Sequence, residues 1–246
     1  MIDPLTRRDF VALAAAAGLG AQSATFPRGT SPHEPPPAGR VVLFQGDSVT
    51  DCGRDRTDVG PNSTSALGAG YPLLIASALL MAQPAQGWQF FNRGRSGDKV
   101  PDLAARWAVD TLRLKPGVLS VLVGVNDYWH RRTHGYKGTV EDYASALAAL
   151  LDSTRKALPS VRLVVLEPFV LRTGAVDATW FPEFTNRQVT AARVAQRAGA
   201  TFVALQSTFD RLSATPGPAY WASDGVHPTA AGHAVIAERW RLAVNL

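Results

Sequence analysis

A serine delivered by an apolar run is the first group in this chain with the means to do chemistry. Val41-Val42-Leu43-Phe44 breaks at Gln45-Gly46 into Asp47-Ser48, and much later Asp224 and His227 stand three residues apart in Asp224-Gly225-Val226-His227-Pro228. A serine hydroxyl is a weak nucleophile until a base takes its proton, and the base must be held in one tautomer by a third group. Among the five histidines, His227 is the one with a carboxylate placed to do this. Taken singly, Gly46-Asp47-Ser48 reads equally as a helix-capping turn, and Asp224-x-x-His227 as a helix entry with Thr229 as its N-cap. Attack on a carbonyl also needs donors for the oxyanion, each worth roughly 3 to 4 kcal/mol. The backbone amides of Ser48 and Gly94 and the side-chain amide of Asn126 are the candidates, although a turn glycine and an Asn-Asp turn would look the same.

Those groups can meet only if strands bring them to one edge. Short runs rich in β-branched and aromatic residues at 41–44, 88–91, 118–123, 161–166 and 201–204 predict five strands. Helical spacing predicts helices over 71–81, 98–114, 139–157, 181–198, 207–212 and 229–244. Residues 52–70 and 128–138 read as loops, the second polar and aromatic. Strands alternating with helices at this spacing predict an α/β fold, a parallel sheet covered on both faces. Ser48 would stand at the carboxyl end of its strand, where such sheets bind ligands.

The chain has 246 residues, 46% of them hydrophobic and 18% charged, which fits one globular α/β domain. Its formal charge of +5 comes from scattered Lys and Arg, a mildly basic surface with no nucleic-acid footprint. The front reads differently from the rest. Arg7-Arg8 followed by an apolar run and small residues predicts a twin-arginine export signal over 1–24, and a proline-rich linker follows over 25–39, so the domain occupies 40–246. The apolar run at 11–19 is too short for a stable membrane anchor, so the expected destination is periplasmic or secreted. The single cysteine, Cys52, has no intrachain partner and is expected to be a small buried apolar side chain beside Ser48.

Gly46-Asp47-Ser48, Asn92-x-Gly94, Gly124-x-Asn126-Asp127 and Asp224-x-x-His227-Pro228 resemble, in order, the four sequence blocks of the SGNH or GDSL hydrolase superfamily. The resemblance spans residues 41 to the C-terminus. It implies a flavodoxin-like three-layer sandwich with a five-stranded parallel sheet, Ser48 as nucleophile, His227 as base, Asp224 orienting it, and Gly94 with Asn126 in the oxyanion hole. The stretches 46–54, 92–97, 102–107 and 124–129 are similar to those of GDSL acetylxylan esterases. Some relatives of that kind lack an export signal, which is where this chain departs. The resemblance implies removal of O-acetyl groups from carbohydrate, acetylated xylan or its oligosaccharides, without cofactor or metal. The alternatives are a lysophospholipase or thioesterase of the same fold, a non-catalytic carbohydrate-binding relative, and a metal site from Asp224, His227 and His233. The aromatics of 129–137 and Tyr220-Trp221 suit a sugar face, and equally loop packing or the interface of a homo-oligomer.

Overall fold

The structure is a computed structural model that describes residues 39–246; the expected export signal and the linker up to residue 38 lie outside the described residues. Five parallel strands form one sheet in the order β2-β1-β3-β4-β5, namely β1 (Val41–Gly46), β2 (Gln89–Asn92), β3 (Val118–Leu122), β4 (Arg162–Leu166) and β5 (Thr201–Val203). The helices in chain order are α1 (Ser48–Asp51), α2 (Thr64–Leu67), α3 (Tyr71–Ala82), α4 (Val100–Asp110), α5 (Val125–Thr133), α6 (Val140–Ala157), α7 (Glu183–Arg197), α8 (Gln206–Leu212) and α9 (Ala230–Val244).

Strand β1 shows why both faces are covered. Successive side chains of a strand point to opposite sides, so Val42 and Phe44 enter one core with Tyr71, Ile75, Ile236 and Trp240 of α3 and α9. Val41 and Leu43 enter the other, with Leu103, Trp107, Leu147 and Val194 of α4, α6 and α7. The result is the expected three-layer sandwich. Two of its buried indoles hydrogen-bond across the layers, Trp240 Nε1 donating to Ser120 Oγ at 3.0 Å and Trp107 Nε1 to Thr154 Oγ1 at 2.9 Å, as burial of an N–H requires.

Three elements differ from expectation. Residues 125–133 are helical where a loop is expected from 128; only Val125, Tyr128 and Trp129 supply its apolar contacts. Its stability comes partly from charge, with Asp127 in the first turn and Arg131 and Arg132 in the last, each matching the helix dipole. Helix α4 is shorter than the expected 98–114: the Lys99 amide and Nζ both donate to Asp102 Oδ2, at 2.9 and 2.6 Å, at its start, and a separate 3-10 turn covers Leu112–Leu114. The loop 52–70 contains the short helix α2.

Candidate active site

The end of β1 is fixed by close approach. A Cβ on Gly46 would lie 2.2 Å from the Leu122 carbonyl oxygen and 2.4 Å from Thr50 Oγ1, so only glycine fits between β1 and β3 here. Asp47 then caps α1, its Oδ1 accepting the Val49 amide at 3.0 Å, and Ser48 becomes the first helical residue. The Ser48 hydroxyl points at the ring of His227, with Oγ 2.9 Å from Nε2 across 179 residues of chain.

The base is built by one turn. Asp224 Oδ1 accepts the amides of Val226 and His227 at 2.9 and 2.7 Å, and Oδ2 lies 2.6 Å from His227 Nδ1. Gly225 allows the turn: its φ is +87° and a Cβ would strike the carbonyls of Thr173 and Leu171. Burial pushes the Asp224 carboxyl up, but the His227 ring and the two amides outweigh it and hold the group below the ordinary carboxylate value. An ionised Asp224 keeps a proton on Nδ1, which leaves Nε2 free to accept from Ser48. The Trp129 ring stands 5.9 Å from the His227 ring, centroid to centroid, and Trp180 backs it at 5.8 Å.

Asn126 occupies the second position of α5, and its Nδ2 gives one proton to the Asp98 carbonyl at 3.2 Å, leaving the other available. Gly94 is not available. Its amide donates to Asn92 Oδ1 at 2.8 Å, and its missing side chain lets the backbone pack on Thr50 and Asp51, where a Cβ would be 2.5 Å from the Asp51 amide nitrogen. The glycine whose neighbours in the chain are tied to the site is instead Gly97, at φ +88°: the Arg95 amide before it donates to the Gly46 carbonyl at 3.0 Å, and the Asp98 carbonyl after it accepts from Asn126. Among the described residues neither the Gly97 amide nor the Ser48 amide donates to a protein acceptor. In sequence, Gly97 is simply one of two glycines in the 92–98 turn.

Arg106, within the stretch 102–107, is the other residue whose role the sequence did not single out. Its guanidinium donates to Asp98 at 2.8 Å, Asp110 at 3.0 Å, Gln45 Oε1 at 3.0 Å and the Arg93 carbonyl at 2.7 Å. It therefore ties the ends of β1 and β2 to the turn that holds Asn126. Arg106→Ala leaves the mostly buried Asp98 without its cation and Asp110 with only Arg95 at 3.7 Å, and is expected to cost roughly 3 to 5 kcal/mol, with Arg106→Lys recovering part; urea unfolding midpoints check this.

Two carboxyls under the site carry raised affinities for protons. Burial pushes Asp47 up to about 7, with Asp127 and Asp98 nearby adding to it. Burial likewise pushes Asp127 up to about 6, against the Val100 amide and Arg187. A carboxyl that holds its proton more tightly when folded stabilises the fold at low pH and loses that contribution as pH rises through the folded value. Asp47→Asn retains a carbonyl for the Val49 amide and removes the titration. The variant should gain stability relative to the parent between pH 5 and pH 8, measured by denaturant midpoints at both; a constant difference would contradict the burial argument.

Cys52 is half-buried rather than buried, because it ends α1 in a left-handed conformation (φ 39°). Burial raises its thiol, and its Sγ lies 3.3 Å from His233 Nε2. His233 Nδ1 accepts the Tyr71 amide at 3.2 Å, and burial, then the His227 charge, push His233 down to about 4. Both its ring nitrogens are thus engaged away from Asp224, and among the described residues no three His, Cys, Asp or Glu side chains are grouped to hold a metal ion.

Comparison with known proteins places this geometry among relatives. The GDSL-like Lipase/Acylhydrolase family matches residues 44–235. An acetylxylan esterase of Geobacillus stearothermophilus is 32% identical over 207 residues, covering 81% of this chain and 91% of its own. The crystal structure of a GDSL-like protein from Parabacteroides merdae superposes with a TM-score of 0.81 at 44% identity, covering 83% of this chain and 95% of the other. That of Axe2, an acetylxylan esterase from Geobacillus stearothermophilus, superposes with a TM-score of 0.77 at 30% identity, covering 87% and 97%.

Proposed function

This chain belongs to the GDSL-like lipase/acylhydrolase family and is a carboxylic ester hydrolase; from that premise we propose that it removes O-acetyl groups from carbohydrate, with Ser48, His227 and Asp224 as its catalytic triad. The observation that carries the reading is the unbroken relay from Ser48 Oγ to His227 Nε2 (2.9 Å) and from His227 Nδ1 to Asp224 Oδ2 (2.6 Å). Ser48 Oγ attacks the ester carbonyl carbon while its proton passes to Nε2. The oxyanion is received by the amides of Ser48 and Gly97 and the free Nδ2 proton of Asn126. The C–O bond to the sugar breaks as Nε2 returns the proton to the departing oxygen. Water, deprotonated by Nε2, then attacks the acetyl-enzyme and releases acetate.

The acetyl preference draws support from the named activity of the Geobacillus relative and from Trp129 with Trp180, whose rings stand beside His227 where a sugar face could lie. The expected Arg7-Arg8 signal would deliver the enzyme beyond the cytoplasm, where acetylated polysaccharides are met. The test is a matched ester series from acetyl to long acyl, run beside acetylated xylooligosaccharide. Turnover falling steeply beyond acetyl, with acetate released from the oligosaccharide, is expected. A rate that rises with acyl length would replace the substrate by a lipid or thioester and keep the triad.

A further inference from the structure

The triad lies open to solvent, the His227 side chain 44% exposed and that of Asp224 39%. An acetyl ester held only there gains little from burial, and enzymes in this position draw on binding energy from remote parts of the substrate. A groove of about 630 Å3 opens on the same edge of the sheet. It is lined by Leu171, Arg172, Phe181, Thr185, Pro218 and, from α8, Asp210. The Arg172 guanidinium stands 4.7 Å from the Phe181 ring centre.

The segment that brings Leu171 and Arg172 to this groove is packed on the acid–base turn. The Leu171 amide donates to the Gly225 carbonyl at 2.8 Å and the Ala175 amide to the Asp224 carbonyl at 2.9 Å. The groove walls come from the segment after β4 and the helix after β5, two to three strands from β1. That places it roughly 10 to 14 Å from Ser48 along the edge, beyond the reach of an acetyl group and within that of neighbouring sugar units. It is also preformed: Gln188 Nε2 donates to Gln206 Oε1 at 2.6 Å, and Gln206 Nε2 to the Val170 carbonyl at 3.0 Å.

We propose that this groove binds the pyranose residues adjoining the acetylated one, so that the enzyme prefers a chain of sugars to a single acetyl sugar. The inference rests on the carbohydrate reading of the active site. Among the described residues the side chains of Arg172 and Thr185 make no hydrogen bond or salt bridge, and Asp210 gives only one carboxylate oxygen to Gln206. Free donors and a free acceptor beside the apolar Leu171, Phe181 and Pro218 match a pyranose, whose rim of hydroxyls surrounds an apolar C–H face. An acyl chain in the same place would strip water from Arg172 and Asp210 and return nothing.

Arg172→Ala and Asp210→Ala, each checked for an unchanged thermal midpoint, are compared with the parent on acetylated xylooligosaccharides of increasing length and on p-nitrophenyl acetate. The parent's KM should fall with chain length. In the variants that fall should vanish, KM for the long chains rising roughly tenfold relative to the small ester while kcat holds. Binding of unacetylated xylohexaose to Ser48→Ala, measured by calorimetry, should weaken when Arg172→Ala is added. A KM independent of chain length in the parent, or unmoved in both variants, overturns the groove and leaves carbohydrate deacetylation standing. A change confined to the acyl-length series assigns the groove to an acyl chain and overturns it too. Failure to release acetate from any sugar, with no xylohexaose binding, removes both readings together.

Discussion

Ser48→Ala should lower kcat/KM on an acetyl ester by a factor on the order of 10^4 to 10^6 while leaving the fold intact. The Ser48 side chain makes a single hydrogen bond, to His227, and opens a four-residue helix whose cap is the preceding Asp47. Alanine favours that helix and keeps the cap. Without the hydroxyl no acetyl-enzyme can form, and only the oxyanion donors remain to favour attack by water. The check pairs initial rates with a thermal unfolding midpoint, which should move by no more than the ~1 kcal/mol typical of a lost hydrogen bond. A variant retaining near-parental turnover would sink the assignment of the nucleophile.

The second large effect has an unusual ordering: Asp224→Asn should be worse than Asp224→Ala. In the parent, Oδ1 is occupied by the amides of Val226 and His227, and Oδ2 faces His227 Nδ1. An asparagine must keep its carbonyl toward the two amides, so its NH2 turns to Nδ1. The ring then carries its proton on Nε2, where it cannot accept from Ser48 Oγ, and a loss of about 10^4 in kcat is expected. Alanine imposes no tautomer, so a fraction of rings stays competent. Equal activity of the two variants would mean that Asp224 acts by charge alone and not by fixing the proton.

The legible and illegible parts of this chain differ in kind. Buried parallel strands are continuous apolar runs, so β1 and β3 could be read to within a residue or two, and the alternation with helices yielded the sheet. Ser48 and Asn126 could be singled out because each follows the end of a buried apolar run, and His227 because Asp224 stands three residues before it; the hydrogen bonds between Ser48, His227 and Asp224 are what the structure adds. Helix α5 was hidden because only three of its residues face apolar neighbours and its charges answer the helix dipole instead of forming a stripe. Gly94 misled for another reason. Whether a backbone amide is free depends on its neighbour, and here Asn92 consumes it; Gly97 has the same residue type and no such neighbour. Arg106 lay in the matched stretch 102–107, but its role was hidden because its five acceptors come from three separate elements.

Ser48 and His227 lie 179 residues apart, one just after the first strand and the other just before the last helix. Nearly the entire chain must therefore be synthesised and folded before the nucleophile meets its base. Nascent or truncated chains that have built only the first strands carry the serine without its base. Contacts of such long sequence separation form late because loop closure must be completed first. During refolding, esterase activity should consequently trail the recovery of helical circular dichroism, which makes turnover a reporter of the finished molecule.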